Sequence, residues 1–83
     1  MSHKSGEELR QNLSEAHTRV RIGGRYHHYK GQEYMVVGFA VIEATSETGV
    51  LYRAEYKELQ DIVFLRPLEE FLSLVSADKG KVA

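Results

Sequence analysis

The sequence of 83 residues contains no cysteine, a single proline and no apolar run long enough to cross a membrane. Without cysteine, disulfides, thiolate metal sites and thiol catalysis are all excluded. The longest apolar run, residues 34–42, is shorter than the ~18 residues of a membrane-spanning helix and is interrupted by Gly38. The first residues are polar and lack the apolar core of a signal peptide. We therefore expect a single soluble, cytoplasmic domain with no membrane partner.

The sequence also lacks a large net charge, because its 11 lysine and arginine residues nearly balance its 12 acidic residues and the formal net charge is −1. No global attraction to nucleic acid or anionic lipid is expected from this balance. The distribution along the chain is uneven, however. Residues 18–32 contain four cations and no acid: Arg19, Arg21, Arg25 and Lys30. Acids outnumber cations over residues 43–70, so the sequence predicts a basic segment followed by an acidic one.

A helix is predicted near the N-terminus. Ser5 and Glu8 have the spacing of a capping box, in which each side chain accepts a backbone N–H at the start of a helix. Apolar residues then recur at helical spacing, at Leu9, Leu13, Ala16 and Val20. We predict a helix over residues 6–17 that is stabilised only by docking on the rest of the domain; the alternative is a segment that is frayed or disordered in solution. Residues 18–22 are interpreted as a strand or an extended lead-in, ended by the glycine pair 23–24.

The central part of the sequence predicts three strands. Residues 25–30 form the first, and a tight turn at 30–32 leads to the second, residues 34–42. This strand is apolar on both faces, which favours a long strand bent at Gly38. One predicted face carries Tyr34, Val36, Gly38, Ala40 and Ile42; the other carries Met35, Val37, Phe39 and Val41. After a hairpin loop at 43–49 we predict a strand at 50–56, with Val50, Tyr52, Ala54 and Tyr56 facing one way.

The C-terminal part predicts a turn, a short strand and a short helix. Residues 57–61 turn the chain and residues 62–65 form an apolar strand. Pro67 suits the first position of a helix, and the residue before it is held extended. Helical spacing then predicts one apolar face, made of Leu68, Phe71, Leu72 and Val75. Residues 76–83 have no such periodicity and are predicted to be a mobile tail.

These elements predict a mainly β fold: a small antiparallel barrel with an N-terminal helix, closed at one end by a short C-terminal helix. The predicted organisation is a lead-in over residues 1–22, a barrel over 23–75 and the tail over 76–83.

The order and spacing of these residues also resemble a known family. The matching positions are Gly24, Tyr26, His28, Tyr29, Lys30, Gly31, Tyr34, Val36, Gly38, Ala40, Val50, Tyr52, Ala54, Tyr56, Phe64, Arg66, Pro67 and Leu68. This pattern is similar to that of a small bacterial family of unknown function, DUF1653. The resemblance implies an SH3-like barrel and implies no particular activity. The sequence departs from the family pattern in residues 42–45 and in having Phe64 where a tryptophan is common.

Catalysis and metal binding find little support in the sequence. His27 and His28 are neighbours on a predicted strand, so their side chains point to opposite faces and do not readily bind one metal. Glu69 and Glu70 diverge on a helix, where they oppose its dipole instead of forming an acid–base pair. We therefore predict no metal, no cofactor and no enzymatic activity. An enzyme acting on a small molecule would need a deep pocket lined by His28 and Arg66.

Tyrosines and cations on adjoining strands are the best candidate for a functional surface. The candidate binding residues are Arg25, Tyr26, His28, Tyr29, Lys30, Tyr34, Tyr52, Tyr56 and Arg66. Such residues can hold a protein or peptide partner, which is the function we predict. The alternative is single-stranded RNA or DNA bound through residues 19–30. A purely structural role is a strong alternative for the tyrosines, because a small barrel can bury their rings while their hydroxyls remain in water. The pattern leaves the oligomeric state open.

Overall fold

The computed structural model describes residues 4–28 and 30–77. Five strands form one antiparallel sheet in the order β4-β3-β2-β1-β5. The elements follow one another along the chain as α1 (Gly6–Arg19), β1 (Arg25–His28), β2 (Glu33–Ile42), β3 (Glu47–Ala54), β4 (Phe64–Pro67), α2 (Leu68–Leu74) and β5 (Val75–Ala77). The sheet curls into a half-barrel, so the prediction of a mainly β fold with two helices is confirmed.

Helix α1 begins with the predicted capping box. The Ser5 hydroxyl accepts a hydrogen bond from the Glu8 backbone N–H at 3.1 Å, and the Glu8 carboxylate accepts one from the Ser5 N–H at 3.2 Å. The helix continues to Arg19, and Val20 is its extended C-cap. The alternative of a strand over residues 18–22 is therefore wrong, because helical hydrogen bonding extends through its first two residues. Gly23 then takes a φ of +85°, which a glycine adopts without strain.

Strand β2 contains a β-bulge at the position where the sequence predicts a bend. Its ladder with β3 pairs Val36 with Tyr52 and then Gly38 with Leu51. Val37 is therefore an extra residue that has no partner in β3. A bulge of this kind bends its strand and increases the local twist, which allows one long strand to follow the curl of the half-barrel.

The bulge also reverses the two faces of β2. Tyr34 and Val36 face the core before it, whereas Phe39, which pairs with buried Val50, packs against the core beyond it. One extra residue shifts the alternation by one position, and every later side chain changes face. The predicted common face is thus wrong beyond the bulge for Gly38, Ala40 and Ile42.

Strand β3 supplies the centre of the core. Val50, Tyr52 and Ala54 are buried, as predicted. Tyr56 lies beyond the end of β3 and is 37% exposed, because the chain turns into a single 3-10 turn at Lys57–Leu59. The hairpin loop that precedes β3 is also shorter than predicted. It ends at Ser46, which has a φ of +64°, and Gly49 belongs to the strand.

The predicted strand at 62–65 lies two residues further along the chain, as β4. Ile62 and Val63 precede it and are exposed. Pro67 is the last residue of β4 and the N-cap of α2, which begins at Leu68.

Helix α2 buries its predicted apolar face. Phe71 is 1% exposed, and Leu68 and Leu72 pack against the core. Val75, predicted on the same helical face, also packs against the core but is extended and begins β5. The chain then enters β5, which pairs with β1. The predicted mobile tail is therefore wrong for residues 76 and 77, which continue the sheet, and residues 78–83 lie outside the described part of the chain.

The core lies between the concave face of the sheet and the two helices. Its buried residues are Val20, Tyr26, Val36, Val50, Tyr52 and Phe71. The ring of His17 on α1 contacts the ring of Phe39 edge-on at 4.7 Å, which docks this helix on the sheet. No ladder joins β4 to β5 within residues 4–28 and 30–77, and α2 connects these two strands directly. None of the described helices has the length and apolar character needed to cross a bilayer.

Candidate binding site

A row of aromatic rings runs through the concave side of the sheet. Tyr52 lies at its centre, with ring centroids 4.9 Å from Tyr34, 5.1 Å from Phe71 and 5.8 Å from Phe64. Phe71 in turn contacts Tyr26 edge-on at 5.6 Å. Aromatic pairs at these separations add stability beyond the burial of their area. The row therefore fixes the positions of rings that also reach the surface.

One end of this row opens into a pocket of about 180 Å³. It lies where β2, β3 and β4 meet the 3-10 turn, and its lining consists of Gln32, Tyr34, Tyr52, Ala54, Tyr56, Leu59, Phe64 and Arg66. Register explains the hollow. Tyr34 is directly opposite Ala54, whose small side chain leaves the space beside the tyrosine ring unfilled. We call this the aromatic pocket.

Arg66 is held in the wall of the aromatic pocket by two partners. Its Nε donates to the Tyr52 hydroxyl at 3.0 Å, and its Nη1 donates to the Glu70 carboxylate at 2.8 Å. The hydrogen bond to Tyr52 is the main reason that the pKa of Arg66 is raised above its ordinary value. The pocket therefore contains a permanent, oriented cation beside its rings, and no acid is among the residues that line it.

Tyr34 forms the opposite wall. Its hydroxyl donates to the Gln32 side-chain oxygen at 3.1 Å. Burial raises the pKa of Tyr34 above its ordinary value, and the phenols of Tyr52 and Tyr56 add to the effect. Because the ordinary pKa of a tyrosine is already about 10, the hydroxyl is protonated at neutral pH and the shift acts only in the alkaline range. The hydroxyl offers a ligand a fixed polar group at the edge of an apolar surface.

The structure gathers part of the predicted binding set around this pocket: Tyr34, Tyr52, Tyr56 and Arg66. Tyr26 is instead buried in the core, where its hydroxyl accepts a hydrogen bond from the Arg21 backbone N–H at 3.0 Å. Arg25 is exposed on the convex face, since it alternates with Tyr26 along β1. Tyr29 lies outside the described residues.

His28 is the last residue of β1, and Lys30 lies in the turn that leads to β2. The His28 Nδ1 accepts a hydrogen bond from the Lys30 backbone N–H at 3.0 Å, and its ring lies 6.0 Å from that of Tyr34. The lining of the aromatic pocket includes Arg66 but not His28. His27 faces the other side, where its Nε2 is 3.6 Å from the carboxylate of Glu33.

Sequence reasoning missed four residues of the lining: Gln32, Ala54, Leu59 and Phe64. Phe64 and Ala54 were identified in the sequence only as positions of the family pattern and as members of predicted strands, with no binding role. Leu59 enters through the 3-10 turn, whose packing depends on the tertiary fold. No local signal identifies Gln32, because its role comes from the hydrogen bond with Tyr34.

A second hollow, the charged cleft, has a similar volume of about 190 Å³. It lies between α1, β3 and α2, and its lining consists of Lys4, Asn12, Glu15, Arg19, Glu47, Thr48, Leu68 and Glu69. Arg19 donates to both carboxylate oxygens of Glu69, at 2.8 and 3.4 Å. The hydrogen bond from Arg19 lowers the pKa of Glu69. Within the described residues, no group of three or more potential ligands is placed to hold a metal ion.

The fold and the site together define a small, curled β-sheet protein with one aromatic pocket. A family model described as "Protein of unknown function (DUF1653)" matches residues 24–83, and the chain belongs to this family. The resemblance seen in the sequence is thereby confirmed. Helix α1 lies outside the matched range, whereas every residue that lines the aromatic pocket lies within it. No curated protein and no solved structure showed a match to the chain.

Proposed function

We propose that this protein is a noncatalytic binding module of the bacterial cytoplasm, which engages a protein or peptide through the aromatic pocket. One observation carries the proposal: Tyr34, Tyr52, Tyr56 and Arg66 come from separate segments and converge on one pocket. The finer description of the fold, an SH3-like barrel, is part of the same proposal. It is supported by the bulged central strand and the curl of the short-stranded sheet.

The chemistry of the pocket suits a peptide side chain. Its walls combine flat apolar ring surface with a few fixed polar groups, the combination typical of ligand sites. A volume of about 180 Å³ accommodates one side chain or ring, so it suits a residue projecting from a longer partner. The remaining affinity must then come from surfaces around the pocket.

The predicted basic segment is not gathered at this pocket. Arg19 forms its ion pair in the charged cleft, and Arg25 is on the convex face. Neither residue lines the aromatic pocket. This arrangement favours a peptide over single-stranded nucleic acid as the ligand of the pocket.

The test is selection of binders from a random-peptide display library on the immobilised protein, followed by affinity measurement with the selected peptide. Tyr56→Ala removes an exposed ring and leaves the core intact, so we expect affinity to fall about tenfold or more, as for an aromatic hot spot. Arg66→Gln should also weaken binding. Arg25→Gln is the matched control for the cation, and Ile22→Ala is the control for an exposed apolar residue.

Two results would contradict the proposal. One is a selected peptide whose affinity is insensitive to both Tyr56→Ala and Arg66→Gln. The other is failure to select any peptide while a single-stranded oligonucleotide binds, with affinity that falls steeply with salt and is reduced by Arg25→Gln.

A further inference from the structure

Strand β4 is the end strand of the sheet at the aromatic pocket. It pairs with β3 on one side, and no other strand pairs with it in the described residues. Residues of a strand alternate in directing their N–H and C=O groups to one side or the other. About half of these groups in β4 are therefore directed away from β3. The described backbone hydrogen bonds outside the regular helices and ladders include none to or from residues 64–67; the bond nearest to β4 in the sequence runs from the Ile62 N–H to the Leu59 carbonyl.

The approach to this edge is unusually apolar. Ile62, Val63 and Leu65 are 41%, 45% and 48% exposed, and residues 62–65 contain no charge. Proteins normally protect an exposed edge with charged side chains, proline or a bulge, because an unprotected edge pairs with other chains. Here the first charge is Arg66 and the only proline is Pro67, which lacks an N–H and ends the edge.

The two faces of β4 give an added strand different surroundings. Phe64 and Arg66 line the aromatic pocket on the concave side, whereas Leu65 alternates to the convex side. Neighbouring strands place directly opposite residues on the same face of a sheet. An added strand would therefore direct one side chain towards the pocket and the next towards Leu65.

Charge indicates one further property of the partner. Glu58 lies in the 3-10 turn and Asp61 between that turn and β4, where the chain approaches the edge; both are exposed. A basic residue in the partner, placed at that end, would be attracted by both carboxylates.

We propose that the partner is an extended peptide segment that adds to β4 as a further strand, with an apolar or aromatic side chain in the aromatic pocket and a basic residue beside Glu58 and Asp61. This proposal rests on the proposed function and specifies how the peptide is bound. Main-chain hydrogen bonds to the free edge supply affinity, and the pocket selects the side chain.

The probe is an acetylated and amidated peptide, Lys-Thr-Val-Tyr-Val-Thr-Lys, titrated into the ¹⁵N-labelled full chain. The comparison peptide has proline at every second position, so it cannot add as a strand. We expect the first peptide to bind with shifts at the amides of residues 62–66, and the proline peptide to bind at least about fivefold more weakly. Two further peptides carry methyl groups on alternate backbone nitrogens, the odd-numbered ones in the first and the even-numbered ones in the second. Only one of these two sets of N–H groups faces β4, so we expect methylation to abolish binding of one peptide and to leave binding of the other unchanged.

Variants of the protein provide a second measurement. Val63→Lys places a cation beside the free edge. It should weaken binding of the first peptide about tenfold or more, because a charged edge resists strand addition and because the new lysine repels the lysines of the peptide. Ile22→Lys is the matched control, since Ile22 is 46% exposed and lies away from β4. Its affinity should equal that of the wild type.

Each alternative result overturns the proposal in a recognisable way. If the proline peptide binds equally well and Tyr56→Ala abolishes its binding, strand addition is wrong and the pocket is still a peptide site. If neither these peptides nor any library peptide binds, both proposals fail. If the shifts at residues 62–66 appear with increasing protein concentration and no peptide, a second copy of the chain covers the edge instead.

Discussion

The aromatic pocket and the charged cleft have nearly equal volumes but differ in what their walls leave available. In the charged cleft the principal groups satisfy each other, because Arg19 is bound to both oxygens of Glu69. The side chains of this pair are 40% and 77% exposed, so water and salt screen their attraction. In the aromatic pocket, rings fixed by the core leave apolar area uncovered beside an oriented cation.

Because the two volumes are nearly equal, it is the side chains lining each hollow, and not its volume, that make the aromatic pocket the candidate site. Three rings of the aromatic pocket, those of Tyr34, Tyr52 and Phe64, belong to the core or pack against it, so they lose little conformational entropy when a ligand binds. The charged cleft depends on long, exposed side chains that must be ordered for each contact. Four predictions test this contrast, in order of decreasing effect.

Phe71→Ala tests whether the core supports the aromatic pocket. Phe71 is 1% exposed and contacts the rings of both Tyr26 and Tyr52. We expect the free energy of unfolding to fall by about 3 kcal/mol, as for other large-to-small changes in a core. Denaturant unfolding measures this. Ser73→Ala, at an exposed position of α2, is the control, and a loss below about 0.5 kcal/mol for Phe71→Ala would show that α2 does not pack as described.

Tyr52→Phe removes the hydroxyl that orients Arg66 and keeps the ring. The hydrogen bond from Arg66 Nε is lost, so we expect the free energy of unfolding to fall by about 1 kcal/mol. Peptide affinity should also fall, because the guanidinium is no longer fixed in the wall. Tyr56→Phe is the control for stability, since Tyr56 is 37% exposed and lies outside the buried core cluster. Equal stability of Tyr52→Phe and the wild type would mean that Arg66 is not held by this contact.

Tyr34→Phe tests the pocket at alkaline pH. Because the pKa of Tyr34 is raised in the folded protein, its contribution to stability is complete below the unfolded value of about 10 and is lost as pH rises through the folded pKa. The wild type should therefore lose stability more steeply than Tyr34→Phe over this alkaline range. Unfolding midpoints measured across the range would refute the assignment if the two proteins gave the same slope.

Glu69→Gln gives the smallest effect and acts at the opposite end of the pH scale. Arg19 lowers the pKa of Glu69, so the contribution of this ion pair is present above the usual carboxyl pKa of 4.5 and is lost as pH falls through the lower folded value. The variant should show a slightly flatter acid limb at low salt, and high salt should remove the difference. Glu58→Gln is the control. If Glu69→Gln instead lost much stability at neutral pH, independently of salt, the charged cleft would be rigid and its ion pair would not be screened by solvent.

Local patterns in the sequence predicted most of the elements. The capping box at Ser5 and the apolar spacing through Phe71 are local signals, because each depends on residues within two or three turns. The bend at Gly38 was visible for the same reason. The side of the sheet reached by Phe39 was not, since it depends on one unpaired residue that only the ladder with β3 reveals. Strand β5 was missed because three residues carry too little periodicity to be recognised.

The sequence predicted which types of residue form the candidate site, but not which individual residues line it. Tyrosine and arginine at the right spacing drew attention to Tyr34, Tyr52 and Arg66, which do meet. Tyr26 has the same residue type and strand position, yet its hydroxyl is used inside the core. Tyr26 differs from the pocket tyrosines in how deeply it is buried. Its burial depends on how α1 and α2 cover the sheet, which the sequence does not show.

The unpaired Val37 shifts the alternation of inward and outward side chains along β2 by one position. Because it is bulged out of the ladder, both halves of β2 contribute apolar side chains to one interior; if it were paired with β3 like its neighbours, Phe39 would be turned out to water and Ala40 would take its place. A further insertion in β2, or a deletion outside the bulge, would shift the alternation in the same way, so length is constrained more strongly between Tyr34 and Ile42 than in the loop that follows. Within the family, insertions and deletions should be tolerated at residues 43–46 and selected against in β2, which makes chain length a more sensitive record of this fold than residue identity.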